Sequence, residues 1–539
     1  MAKKTVRTVT AVLLAAVLAL SACARGDESD AGGGDDTGDA GALFTPGFHE
    51  ADPPGEPTSG GTLTFADFAE TRSLDPTRNL YTGYSAGTVM TALYDPLIRW
   101  NQREQAFEPR LAESVESNDD HTEWTITLRE GAEFSDGSPV DADAVLGSFA
   151  YYLENQGSDL GVVGPQWGGA EKVDDRTVRV TLRQGWATFP FALGMGIGFI
   201  VAPAAIADGP EGFRPIGAGA FTFESYRPQE ELVLTANPNY WDGAPHLDQL
   251  RFVWLGADET KLESLDGGTV QGAIVRDSRV VERALTADVS GWVSVESFGR
   301  IIMINRAEGR PAAEYPQIAE AIAHAIDGEE LTDRVFDGVG MPSRHVFGPA
   351  SRWHNEDAEV RELDRQKATE LLDEAKAAGF DGTVELTSMG DPETRELTLG
   401  VKAQLEAVGF TVENDYARTV ADGINKTFIE RNFDFAQQGL ALGDDDPYWR
   451  LFASFHSTSA ANASGFNDPD YDALVDELRM TEGDDRAEVL QRIENEILTE
   501  LPTVVYGGNA NMVMWADNVH GIQPGNDAQV GFEKAWISD

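Results

Sequence analysis

Strands and helices alternate over one stretch of the chain, residues 383–436. The order is strand, helix, strand, helix and strand, at 383–387, 392–408, 410–413, 420–431 and 433–436. Strands joined through a helix lie parallel, with a right-handed crossover. This stretch therefore predicts an open α/β sheet, in which a ligand is bound beyond the carboxyl ends of the strands.

The N-terminal residues 1–22 have the features of a secretory signal peptide. Basic residues precede an apolar run at 9–20 that is too short to span a bilayer, and Ser21 and Ala22 follow it. The next residue, Cys23, is the only cysteine, so it cannot form a disulfide within the chain. This order resembles the lipobox of bacterial lipoproteins and predicts a lipid anchor on Cys23 at the outer face of the cell membrane.

Composition and charge describe the segment that follows. Residues 23–60 are rich in Gly, Ala, Asp, Glu and Pro, and so predict a disordered acidic tether. The formal charge of the whole chain is −50. Because nucleic-acid phosphates would be repelled, we expect no nucleic-acid partner.

Short sequence patterns recur in a fixed order along the body of the chain. Residues 215–254 contain Pro-Ile-Gly-Ala-Gly-Ala-Phe, Asn-Pro-Asn-Tyr-Trp and Leu-Asp-Gln-Leu-Arg-Phe, and predict a hairpin followed by a strand. Further patterns lie at 93–97, 134–139 and 466–474. Together they resemble extracellular solute-binding proteins of ABC importers, in the family that handles oligopeptides, dipeptides and nickel.

The resemblance implies a bilobal α/β fold of the periplasmic-binding-protein type (type II, cluster C) with an extra sheet-rich subdomain. Lobe 1 is expected at 61–300, with the subdomain at about 90–215, lobe 2 at 301–505, and the return to lobe 1 at 506–539. The strands at 301–305 and 504–506 are the expected hinge crossings. We expect a monomer without a cofactor that captures a peptide and delivers it to the permease subunits of an ABC importer, with no catalysis.

The expected ligand site follows the strand at 433–436. There the loop carries Asp444, Asp446, Tyr448 and Trp449. In peptide-binding relatives an Asp lies a few residues before an Asp-Pro or Glu-Pro in this loop, and Asp444 is the nearest match although the spacing is one residue shorter. The resemblance implies that Asp444 binds the ligand, with Asp446 as the other candidate and the two aromatic rings excluding water.

Three other functions stay open from the sequence. A nickel or metal-chelate binder would need clustered histidines, which the spacing does not show, although His345 and His354 could meet in space. An oligosaccharide binder would use aromatic platforms such as Trp167 and Trp353. A secreted serine hydrolase would use Ser85, in a Gly-x-Ser-x-Gly pattern that requires a strand running directly into the serine.

Overall fold

The computed structural model describes residues 44–50, 55–71, 73–83, 85–389, 392–418 and 420–538. They belong to the second of two structural units, Asp39–Asp539, and the first unit, Met1–Gly38, lies outside them. The predicted signal peptide and Cys23 therefore lie outside the described residues.

The strands and helices are as follows. The strands are β1 Gly47–His49, β2 Thr62–Asp67, β3 Ile98–Asn101, β4 Ala106–Pro109, β5 Ala112–Ser117, β6 Glu123–Leu128, β7 Trp167–Asp174, β8 Thr177–Leu182, β9 Phe221–Arg227, β10 Glu231–Ala236, β11 Gln249–Trp254, β12 Gly272–Val275, β13 Gly291–Ile304, β14 Met341–Pro342, β15 Thr383–Ser388, β16 Thr411–Tyr416, β17 Phe435–Gln438, β18 Thr503–Trp515, β19 Val519–His520, β20 Gln523–Pro524, β21 Val530–Gly531 and β22 Trp536–Ile537. The α-helices are α1 Gly87–Tyr94, α2 Ala142–Glu154, α3 Leu160–Gln166, α4 Phe189–Ala192, α5 Pro203–Ile206, α6 Asp258–Asp266, α7 Ser278–Thr286, α8 Pro311–Glu314, α9 Gln317–Ala325, α10 Gly328–Phe336, α11 Arg365–Ala377, α12 Pro392–Ala407, α13 Val420–Ile424, α14 Pro447–Phe455, α15 Pro469–Met480 and α16 Asp485–Glu500.

Two long antiparallel strands, β13 and β18, lie in the middle of the main sheet. The strand order is β16-β15-β17-β13-β18-β12-β2-β11-β10-β9. Nearly every residue of both central strands is buried, because other elements cover both faces. Their pairing is irregular between Glu296 and Ile301, where the register shifts.

The predicted β-α-β alternation is confirmed. β15 pairs in parallel with β16, Thr383 opposite Thr411, and also pairs in parallel with β17. The helices of this region pack on the sheet around a core of their own, which contains Leu372, Val401 and Leu405. The predicted hairpin and following strand also form, as β9, β10 and β11.

A separate antiparallel sheet, β5-β6-β8-β7, accounts for the predicted sheet-rich region. Helix α2 follows β6 and begins directly after Asp141, whose side chain accepts a hydrogen bond of 2.9 Å from the Ala144 amide. This fold is mixed α/β, as the sequence predicts.

The end of the predicted tether is ordered, so the prediction of disorder for the whole of 23–60 is wrong at residues 44–50. β1 pairs antiparallel with β13, Gly47 opposite Val293, and Phe44 is fully buried. Of the residues in β13, only 301–304 pair with β17. The start of β13 therefore has an edge that β17 does not cover, and β1 pairs there. An unpaired strand edge adds another strand readily, and the two phenylalanines of this segment supply apolar surface.

Two features bear on the alternatives from the sequence. Residues 79–83, all of which the structure describes, contain no strand, and Ser85 lies in a turn before α1. A hydrolase nucleophile requires a strand directly before the serine, and the described residues 79–83 do not supply one. Among the described helices, none is long and apolar enough to cross a membrane.

Candidate functional site

A cavity of about 380 Å³ opens beside the start of β13. Residues 292–296 of β13 form one wall. The other lining residues come from five further parts of the chain, at 46–47, 102 and 105, 350–352, 443–445 and 527–528. Segments far apart in sequence therefore meet here, and the loop after β17 contributes Asp444 and Asp445.

The loop after β17 is fixed at both ends. Leu442 exchanges two backbone hydrogen bonds with Ser297 of β13, of 2.8 and 2.9 Å. Five residues later α14 begins at Pro447, whose fixed φ suits a first helical position. The short link between these points places Asp444 and Asp445 at the cavity.

Asp444 is held by the neighbouring loop at 350–353. Its carboxylate accepts hydrogen bonds from the Ser351 hydroxyl, at 2.6 Å, and from the Arg352 amide, at 3.0 Å. Its carbonyl oxygen accepts from the Arg352 guanidinium, at 2.5 Å, and from the Trp353 indole, at 3.0 Å. Burial raises the pKa of Asp444, and these hydrogen bonds to the carboxylate oppose the shift.

Asp445 is held by backbone amides alone. Its carboxylate accepts from the amide of Asp446, at 3.1 Å, and from the amide of Asp527, at 2.9 Å. Burial raises the pKa of Asp445 as well. In the described part of the chain, no side-chain nitrogen of Lys, Arg or His lies within 4.0 Å of the carboxylate of Asp444 or Asp445, although the charge of Arg352 acts on both and opposes the rise in their pKa.

Asp446 points away from the cavity and is buried. Its carboxylate forms an ion pair of 2.6 Å with Arg486, at the start of α16, and accepts a hydrogen bond of 3.0 Å from the Thr188 hydroxyl. This carboxylate therefore already has a cationic partner within the protein, unlike the two that precede it.

Tyr448 and Trp449 lie in the protein core. Tyr448 is fully buried, with its ring 5.4 Å from that of Trp186. Trp449 packs against Trp186 at 6.1 Å and Phe191 at 5.7 Å. In this conformation neither ring lines the cavity; both fix α14, and thereby the loop that carries Asp444 and Asp445.

Several charged residues of the cavity were missed from the sequence. Asp527 forms an ion pair of 3.2 Å with Arg450, and burial raises the pKa of Asp527 to about 7. Glu296 lies 3.5 Å from Arg276. The spacing of these residues in the sequence does not indicate a common site, because only the fold brings them together.

The residues of the two other binding hypotheses do not form a common site. His345 and His354 do come together, with ring centroids 4.9 Å apart. Among the described residues, however, the group of three possible metal ligands with mutually close atoms is a different one, Asp468, Glu496 and Glu500. Of the proposed sugar platforms, Trp353 bonds the Asp444 carbonyl, whereas Trp167 packs on Phe149 near the smaller sheet.

Comparison with known proteins assigns the class. The family model for bacterial extracellular solute-binding proteins, family 5, matches residues 106–462, and the chain belongs to this family. It is 24% identical over 460 residues to heme-binding protein A of Haemophilus influenzae, covering 78% of this chain and 82% of that protein. It is 25% identical over 439 residues to a probable D,D-dipeptide-binding periplasmic protein of Escherichia coli, covering 77% and 81%.

A solved structure has the same fold. The oligopeptide-binding protein AppA of Bacillus subtilis, in complex with a nonapeptide, superposes with a TM-score of 0.74 at 20% identity, covering 90% of this chain and 100% of that one. The fold prediction is thereby confirmed.

Proposed function

We propose that this protein captures peptides outside the cytoplasm for an ABC importer, and that it holds the peptide's N-terminal ammonium group at Asp444 and Asp445. The observation that carries the proposal is the pair of cavity carboxylates, neither of which forms an ion pair within 4.0 Å among the described residues. Relatives whose names specify a D,D-dipeptide and an oligopeptide support the substrate class.

The chemistry of a free peptide terminus matches this site. An ammonium group loses its hydration on entering a cavity, so it needs a fixed carboxylate to offset that cost. Asp444 and Asp445 each accept two hydrogen bonds from the protein. A carboxylate has about four lone-pair sites, so each has capacity for ligand N–H groups. Both side chains are held in place before the ligand arrives.

Closure of two lobes around the ligand is part of the proposal. β13 and β18 each contribute to two of the smaller cores, Val293 and Met512 to one and Ile302 and Val504 to another, and both strands also contribute to the large core. Between them the β13–β18 ladder is irregular at 296–301, and Phe298 has a positive φ of 54°. Strands that cross between lobes and lose regular pairing midway suit hinge motion. The lobe boundaries are those expected from the sequence, 61–300 and 301–505, with a return at 506–539.

Anchoring rests on sequence alone. The signal-peptide features of residues 1–22 and the lipobox-like position of Cys23 support a lipid anchor at the outer face of the membrane. We expect the protein to act there as a monomer, without a cofactor and without catalysis.

Matched peptides test the ammonium site directly. Isothermal titration calorimetry compares trialanine with N-acetyl-trialanine on the wild type and on Asp444→Asn and Asp445→Asn. Loss of one partner from a buried charge pair costs about 3–5 kcal/mol, or roughly two to four decades in affinity. We expect the variant with the larger effect to lose affinity for trialanine on this scale. Acetylation of the peptide should weaken binding to the wild type by a similar factor.

The matched control is Asp446→Asn, in the same loop but bound to Arg486. Among variants that fold, it should leave trialanine affinity nearly unchanged. If acetylated and free peptides bind equally well, or if only Asp446→Asn weakens binding, the ammonium site is misassigned.

A further inference from the structure

Three residues of the cavity wall form a free stretch of strand edge. On the side of β13 that faces away from β18, residues 291–293 pair with β1 and residues 301–304 pair with β17. Ser297 forms an isolated bridge with Leu442. Among the described strands, none pairs with residues 294–296 on this side, and all three residues line the cavity. An extended peptide can bind by adding a strand to such an edge.

The segment at residues 44–50 closes one end of this free edge. Its strand, β1, runs antiparallel to β13, with Gly47 opposite Val293. The preceding residue, Pro46, has no amide hydrogen to donate, and the pairing stops there. Pro46 and Gly47 both line the cavity. Segment 44–50 therefore forms an end wall at the point where the free edge stops.

The other end of the free edge lies at the proposed ammonium site. Leu442, which bridges β13, is followed by Asp444 and Asp445 in the cavity lining. A peptide with its ammonium group at this loop and its chain along β13 extends toward β1. A strand rises about 3.3 Å per residue, so the free edge takes about three ligand residues before the ligand meets Pro46. The cavity volume of about 380 Å³ is at the low end of the roughly 300–1,000 Å³ usual for ligand sites, so a short peptide fits.

Two phenylalanines hold segment 44–50 against the rest of the protein. Phe44 is fully buried, in the same core as Val293. The ring centroid of Phe48 lies 3.6 Å from the guanidinium carbon of Arg103, and that guanidinium also forms an ion pair with Glu50. Burial of one phenylalanine shifts an equilibrium by about 10- to 100-fold, so these contacts resist displacement of the segment by a ligand.

We infer that segment 44–50 sets the length of the peptide that the cavity accepts, because it occupies the strand edge that a longer peptide needs. The inference rests on the proposed function for the choice of peptides and for the end at which the ammonium group lies. A peptide of about three residues fills the free edge and leaves β1 in place. A longer peptide has to displace β1. Release of the segment adds residues 291–293 to the free edge and should admit longer peptides.

Two peptides that begin with the same three residues test the length limit. They are Ala-Ala-Ala and Ala-Ala-Ala-Gly-Ser-Gly, both with a C-terminal amide so that no terminal carboxylate distinguishes them. Calorimetry on the wild type should show that the tripeptide binds at least about tenfold more tightly, because the hexapeptide has to release a buried phenylalanine. Hydrogen exchange at residues 44–50 should stay slow with the tripeptide and become faster with the hexapeptide.

Variants at the two anchors identify the segment as the cause. The double variant Phe44→Ser, Phe48→Ser changes no residue of the cavity lining. Exchange at residues 44–50 should be fast in this variant, and the affinity ratio should fall to within about threefold of one. Phe48→Ser alone keeps the buried anchor and should give an intermediate ratio. The matched control is Phe223→Ser, at a partly exposed phenylalanine of β9 that does not line the cavity, and it should keep the wild-type ratio.

The outcomes separate this inference from the proposed function. If the wild type binds both peptides equally well, the length limit is wrong and peptide capture stands. If the preference for the tripeptide survives in the double variant, another part of the protein sets the length and the inference is refuted. Should the double variant fail to fold, an unchanged ratio in Phe48→Ser refutes it in the same way. If neither peptide binds to the wild type, both proposals fail.

Discussion

Removal of the Asp446 carboxylate should destabilise the protein rather than abolish ligand binding. Asp446 pairs with Arg486 at 2.6 Å, and the side chain of Arg486 is only 7% exposed. In Asp446→Ala the guanidinium keeps its bond of 3.1 Å to the Thr481 carbonyl but loses its counter-ion. Breaking a buried pair by deleting one partner costs about 3–5 kcal/mol in the free energy of unfolding.

The size of the effect can be measured by calorimetry. An unfolding entropy of about 2.1 cal/mol/K per residue gives about 1 kcal/mol/K for roughly 500 residues, so the melting temperature should fall by about 3–5 °C. The double variant Asp446→Ala, Arg486→Met should recover most of the loss, because an apolar replacement removes the unpaired charge. A normal melting temperature combined with a tenfold loss of peptide affinity would refute this reasoning and make Asp446 a ligand contact.

The remaining predictions concern pH, the hinge and the anchor. Glu494 is fully buried and its pKa is raised from 4.5 to about 7, so its contribution to stability is present below pH 4.5 and is lost as pH rises through 7. Glu494→Gln should therefore stabilise the protein by about 3 kcal/mol more at pH 8 than at pH 4. The control Glu488→Gln, at an exposed position, should show no such difference. Equal unfolding midpoints for the two variants at pH 8 would exclude a destabilising Glu494 charge. Small-angle scattering should show a smaller radius with a tight peptide and unchanged circular dichroism, and identical dimensions would count against closure. Cys23→Ser should abolish labelling by radioactive palmitate, and an unlabelled wild type would rule out the anchor.

Local patterns in the sequence predicted what local physics determines. The periodicity of residues 383–436 gave the parallel strands β15, β16 and β17, because a strand and a helix each bury one face of fixed period. The place of Asp141 before an apolar run predicts a helix cap, and its carboxylate does cap α2.

The site was only partly predictable, because its members are distant in sequence. The position of Asp444 in the loop after a strand identified it as a candidate, whereas Asp445, between Asp444 and Asp446, was not selected. Asp527 lies 82 positions after Asp445 in the chain, and its backbone amide donates a hydrogen bond to the Asp445 carboxylate. Tyr448 and Trp449 were expected to shield a ligand, yet they lie in the core with Trp186. An aromatic pair in a short helix has the same local pattern in either environment.

The measurement that tests the central claim most directly is native mass spectrometry of the protein purified from cells that produce it. A cavity that encloses its ligand releases it slowly, so a natural ligand should remain bound during purification. The account predicts an added mass that fragments as a peptide with an unmodified N-terminal amine. A bound sugar, heme or metal chelate that occupies the same cavity in place of a peptide would contradict it.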